Sequence, residues 1–156
     1  MPEAGTPTSR PTCSADVAIL LAVLLLLAGA AAEAQVADGS MAPLTNRPGD
    51  PARGKEIVLD PAGGNCLICH PAPIAEAEFQ GDVGPDLAGV GSRYGADELR
   101  LRVVDARRLN PASVMPAYHR TDGLHRVLKE YRGKPILTRQ EVEDVVAYLM
   151  TLTEDR

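Results

Sequence analysis

The pentapeptide Cys66-Leu67-Ile68-Cys69-His70 constrains this chain more than any other feature of it. A C-x-x-C-H run is the site at which haem c is attached: each cysteine sulfur adds to one vinyl group, and the adjacent histidine is held close enough to bind the iron from one face. A chain that carries it has to fold around a flat, largely apolar plate. Three other uses of these residues fit less well. A thioredoxin-like redox pair needs a neighbouring βαβ pattern, whereas the flanks here are rich in Gly and Pro and show no strand. A zinc site could recruit His119 and His125, but the gap from Cys69 is far longer than a finger allows, and His70 is left idle. A disulfide across two intervening residues would close a small strained ring and hold little structure in place.

Composition agrees with a cofactor-filled core. Aromatic residues are only 3% of the chain, Phe79 and four tyrosines with no tryptophan, so the polypeptide offers few large groups with which to fill an interior. A buried porphyrin supplies that bulk.

The N-terminus reads as an export signal. Residues 17–28 are an unbroken run of Val, Ala, Ile and Leu, followed by small residues and the triplet Ala32-Glu33-Ala34, an A-x-A cleavage pattern. The expected division is a signal peptide over residues 1–34, an extended arm over 35–49 and a haem domain over 50–156. Arg10 is the only basic side chain ahead of the apolar run, with Glu3 and Asp16 nearby, so the basic region of the signal is weak. An uncleaved anchor is the alternative, although the run falls short of the ~20 residues a spanning helix needs. Cleavage leaves no membrane segment and places the domain in the periplasm. It also removes Cys13, so that Cys66 and Cys69 are the only cysteines remaining and haem consumes both. The mature part has 15 Lys and Arg against 18 Asp and Glu, a formal charge of −3, which gives nucleic acid no electrostatic footprint to bind.

Local signals then place the elements. Asp50 is suited to N-cap a short helix from Pro51 to about Leu59, with proline at its first position. Pro61, Gly63 and Gly64 end it just before the haem motif. From Pro71 to Gly95 the chain reads as loop. Leu99, Val103 and Ala106 recur at i, i+4 and i+7 and predict a helix over 96–109 with one buried face, its arginines 100, 102, 107 and 108 lying elsewhere and solvated. Thr138 and Glu141 form a capping box, and Val142, Val145, Val146, Leu149 and Leu152 make one stripe of a final helix. Short helices at both ends, individually marginal, gain a surface to pack on when a porphyrin lies between them. The fold class expected is all-α.

With His70 on one side of the iron, the other axial ligand has to come from Met115, His119, His125, Met150 or Met41. Met150 sits in the final helix and Met41 in the arm, where packing or exposure explains them. Met115 lies in a loop before Pro116, well after the haem motif, and is the preferred ligand. His119 is the runner-up and would give a bis-histidine haem of lower potential. His125 reads as a surface residue. A proximal histidine also needs an acceptor for its other ring nitrogen, and the carbonyl of Pro85 in Gly84-Pro85 is available.

These residues resemble a family. Cys66-x-x-Cys69-His70, Gly84-Pro85-x-Leu87, a Met-Pro pair and a last helix with Val-Val-Ala-Tyr-Leu at 145–149 resemble class I cytochromes c. A closer likeness spans residues 48–152: Gly64-Asn65-Cys66, Phe79-Gln80-Gly81, Arg108-Leu109-Asn110-Pro111, Met115-Pro116-Ala117-Tyr118 and Gly133-Lys134-Pro135-Ile136-Leu137. These phrases resemble the SoxX family, the monohaem cytochrome subunits of sulfur-oxidising SoxXA complexes. The resemblance implies a class I cytochrome c fold with one covalent haem c, and a periplasmic heterodimer with a SoxA-type cytochrome subunit. It further implies participation in an L-cysteine S-thiosulfotransferase that joins thiosulfate to a cysteine of the SoxY carrier protein and passes electrons to an acceptor c-type cytochrome. Carried over by position, Cys66 and Cys69 are the thioether sites, His70 the proximal ligand and Met115 the distal one. The competing expectation is a free-standing periplasmic electron shuttle; a zinc-stabilised interaction domain is a distant third.

Overall fold

A computed structural model describes residues 39–154, and the expected signal segment lies outside them. The described residues contain helices and turns and no strand. Four α-helices follow in order: α1 (Pro51–Leu59), α2 (Val90–Arg93), α3 (Ala96–Asp105) and α4 (Arg139–Thr151). A 3₁₀ turn at Cys66–Ile68 carries the first part of the haem motif.

The helix ends follow from local chemistry. The Asp50 side chain accepts from the Ala52 amide at 2.9 Å, and Pro51 needs no partner at the first position. At α4 the capping box forms in both directions: the Thr138 amide donates to Glu141 Oε2 at 2.7 Å, and the Glu141 amide donates to Thr138 Oγ1 at 3.3 Å. The loop expected from Pro71 to Gly95 in fact contains α2, a helix of a single turn whose buried Val90 is too isolated to show a period. The helix expected over 96–109 ends as an α-helix at Asp105 and tightens into a 3₁₀ turn at Ala106–Arg108.

Helices α1 and α4 make the most extensive contact in the fold. Gly54 permits it: a Cβ at that position would lie 1.9 Å from the Asp144 carbonyl oxygen, so the two backbones approach closer than any side chain allows. Val58 from α1 and Val142, Val145, Val146 and Leu149 from α4 are buried together with Leu99 and Val103 of α3 in one apolar cluster. Phe79, the only phenylalanine, stands outside it, 85% exposed.

The described part of the arm, residues 39–49, bends at 44–47 and is pinned to the helices. Arg100 Nη1 donates to the Met41 carbonyl at 2.7 Å, and the Leu44 amide donates to Glu143 Oε1 at 2.8 Å. Arg100 is not solvated: its guanidinium forks onto Glu143, Nε to Oε1 at 2.8 Å and Nη2 to Oε2 at 2.9 Å, with both side chains over 90% buried. Arg102, Arg107 and Arg108 stay at least partly exposed, as expected.

Candidate functional site

Between the haem motif and the inner faces of α3 and α4 lies a cavity of about 600 Å³. Cofactor sites fall in the range of ~300–1,000 Å³. Cys66, Cys69, His70, Pro85 and Met115 all line it, so the structure brings together every residue singled out for the site. His119, His125, Met41 and Met150 do not line it. His119 is engaged elsewhere, its Nδ1 2.8 Å from the Leu137 carbonyl, and His125 is exposed. Met41 and Met150 pack against the apolar cluster.

The motif loop is built by hydrogen bonds that the primary structure does not advertise. Asn65 takes a left-handed backbone (φ 47°), which asparagine tolerates better than most residues, and the chain then turns so that the His70 amide donates to the Cys66 carbonyl at 3.0 Å. Residues 81–87 zip along the motif: the amides of Gly81, Gly84 and Leu87 donate to the carbonyls of Leu67, Cys69 and Pro71 at 2.7–2.8 Å. Gln80 fastens the intervening loop, accepting from the Ala72 amide and donating to the Ile74 and Ala77 carbonyls. Its place in the Phe79-Gln80-Gly81 phrase was the only signal of that role.

His70 Nδ1 lies 2.7 Å from the Pro85 carbonyl. A carbonyl can only accept, so Nδ1 carries the proton and Nε2 keeps its lone pair free for a metal. Gly84 makes room for the ring: a Cβ there would fall 2.3 Å from His70 Cε1. The donor set therefore suits haem c. There are two thiols, an imidazole of fixed tautomer and a thioether, all at one apolar cavity, and Cys66 and Cys69 are not paired with each other in a disulfide.

Electrostatics add a further constraint. Burial pushes the Cys66 thiol up to about 11, opposite in direction to the lowered value of an activated nucleophilic thiolate. Burial also raises the Tyr118 phenol, and its hydroxyl donates to the Gly64 carbonyl at 2.7 Å, fixing the approach to the motif. Two cations that sequence reasoning did not assign to the site line the cavity, Arg93 and Arg102. The Arg102 guanidinium stacks 4.0 Å from the Tyr94 ring centroid, and Arg93 Nη2 donates to the Asp86 carbonyl at 2.7 Å. Among the described residues no cluster of three or more His, Cys, Asp or Glu is placed to hold a metal ion, and His119 and His125, the histidines the zinc alternative would recruit, do not line the cavity with the two cysteines.

Helices packed around a cavity that bears a C-x-x-C-H loop define a class I cytochrome c. The sequence model of the family described as Cytochrome c matches residues 51–153. One chain in the crystal structure of SoxXA from P. pantotrophus is 38% identical with a TM-score of 0.70, covering 74% of this chain and 91% of that one. The c-type cytochrome SorU from Sinorhizobium meliloti is 29% identical over 66% of this chain and 90% of its own, with a TM-score of 0.42. A search of curated proteins finds no match. The chain belongs to the cytochrome c family and is a SoxX-type cytochrome. Membership implies covalently bound haem c and a role in electron transfer. Among the described residues no helix is long and apolar enough to cross a membrane.

Proposed function

We propose that this protein is the electron-transfer subunit of a periplasmic SoxXA-type complex. That complex couples thiosulfate to a cysteine of a SoxY-type carrier and passes electrons on to a c-type cytochrome. The carrying observation is that His70 and Met115 line one cavity with Cys66 and Cys69, in a chain 38% identical to a chain of SoxXA. Residues 1–34 are the signal peptide, and the partner is a SoxA-type haem subunit.

When bound, haem c supplies a one-electron couple at iron. Cys66 and Cys69 would hold it by thioethers, and His70 and Met115 would supply the nitrogen and sulfur donors to its iron. Pro85 orients His70 by accepting from Nδ1, which leaves Nε2 as the nitrogen available to a metal. Arg93 and Arg102, which line the same cavity, would counter the negative charge that the group's propionates bring. The apolar residues Leu99, Val103, Val145 and Leu149 line the cavity and would exclude water from the bound group, an environment that favours the less charged ferrous state.

Joining thiosulfate to a thiol forms a sulfur–sulfur bond and releases the thiol proton and two electrons. This chain takes one electron at a time and contributes no nucleophile, because both cysteines of the mature chain are spent on haem. The partner supplies the reactive sulfur.

The test uses the oxidised mature holoprotein. A near-infrared sulfur-to-iron band is expected that disappears in Met115→Ala with a lowered potential and persists in His119→Ala. A band surviving Met115→Ala would move the ligand elsewhere. Co-elution with the haem-bearing partner in size exclusion, and thiosulfate coupling only by the pair, is expected; a chain that always elutes alone would instead be a free electron shuttle.

A further inference from the structure

Residues 120–136 leave the fold and return to it through a closed neck. The Leu137 amide donates to the Tyr118 carbonyl at 2.8 Å, and His119 Nδ1 closes on the Leu137 carbonyl. Between these points lie seventeen residues whose only regular element is a 3₁₀ turn at Lys129–Tyr131. None of them is buried, and none lines the haem cavity or joins the apolar cluster. Excursions of this length are uncommon in compact domains and are usually functional. The loop is nevertheless held in shape. Arg120 Nη1 donates to the buried Asp105 at 2.8 Å, and the Tyr131 and Lys134 amides donate to the Leu128 and Tyr131 carbonyls at 3.0 Å.

The composition of this loop opposes that of the protein. Arg126, Lys129, Arg132 and Lys134 are set against Asp122 and Glu130 in a chain of formal net charge −5, and none of these six forms an ion pair among the described residues. Three large apolar residues stand among the cations, Leu128 63% exposed, Tyr131 55% and Ile136 47%. Free cations select an acidic partner and steer its approach. Desolvated Tyr and Leu anchors between Arg side chains are what a lasting interface adds to charge.

We propose that the loop 120–136 docks an acidic face of the haem-bearing partner subunit, an inference that rests on the function proposed above. The loop lies apart from the haem cavity, so it contributes affinity without touching the redox centre.

The test mixes the purified mature holoprotein with the purified holo partner subunit and measures the dissociation constant at low and high salt. The double variant K129E/K134E is expected to weaken binding about tenfold or more and to lose most of the salt dependence, and Y131A to weaken it several-fold. The haem spectra of both variants should match the unaltered protein, which excludes misfolding. Unaltered affinity in either variant overturns the docking element while the partner reading stands; failure of the unaltered chain to bind the partner overturns both. Vesicles of phosphatidylglycerol and phosphatidylcholine form the comparison arm. If K129E/K134E abolishes vesicle binding and leaves partner affinity intact, the loop recognises an anionic membrane surface and the proposal falls.

Discussion

His70 and Pro85, fifteen positions apart in the chain, are joined by a 2.7 Å hydrogen bond from the imidazole Nδ1 to the backbone carbonyl. The bond exists because residue 84 has no side chain. In Gly84→Ala the new Cβ would overlap the imidazole ring, 2.3 Å from Cε1, so either the ring or the loop has to move. Overpacking of this kind costs about 1–3 kcal/mol. The holoprotein variant should melt earlier in urea and show a shifted midpoint potential, as the Pro85 carbonyl no longer holds the ring. An unchanged potential would mean that the Pro85 contact does not tune the iron.

The Arg100–Glu143 pair makes a different expectation. Both side chains are buried, and each also holds a backbone group of the arm, the Met41 carbonyl and the Leu44 amide. Removing one partner leaves an uncompensated charge in the interior, a loss of about 3–5 kcal/mol, whereas replacing both with apolar residues costs much less. Glu143→Leu should therefore destabilise more than the double variant R100M/E143L in denaturant melts. In both, hydrogen exchange at the Leu44 amide should accelerate. Equal losses in the single and double variants would show that the unpaired charge is not what destabilises the single variant.

Asp144 predicts an acid dependence. Burial by itself raises this carboxyl, but hydrogen bonds from the Asp50 amide, Gln140 and Arg53 outweigh it and hold the group below the usual carboxylate range. A carboxyl whose folded value is depressed adds stability that is complete above its unfolded value, near ~3.9, and is lost as pH falls through the lower folded value. Melting temperature followed from pH 6 downward should drop below about pH 4. In Asp144→Asn the drop should be shallower from a lower starting point. Parallel curves for the two proteins would assign the acid sensitivity to other carboxylates.

What could be read from the residues alone was local. The haem-motif cysteines and histidine are adjacent, the Asp50 cap and the Thr138–Glu141 box operate within one helical turn, and the final helix carries its stripe within thirteen residues. Such signals need no knowledge of what lies across the fold. Loop position and family likeness point to Met115, and only tertiary structure puts it at the same cavity as His70 while turning His119 toward Leu137. Arg100 and Arg102 are two residues apart and chemically identical in the sequence. The crossing of α3 with α4 buries the first against Glu143 and leaves the second at the cavity beside Tyr94. Charge patterning cannot distinguish them, because the free energy that buries a guanidinium comes from a carboxylate 43 positions away. The single turn of α2 was illegible for a similar reason: it is held where Gly91 donates to the Leu152 carbonyl, a contact that exists only after the final helix has packed.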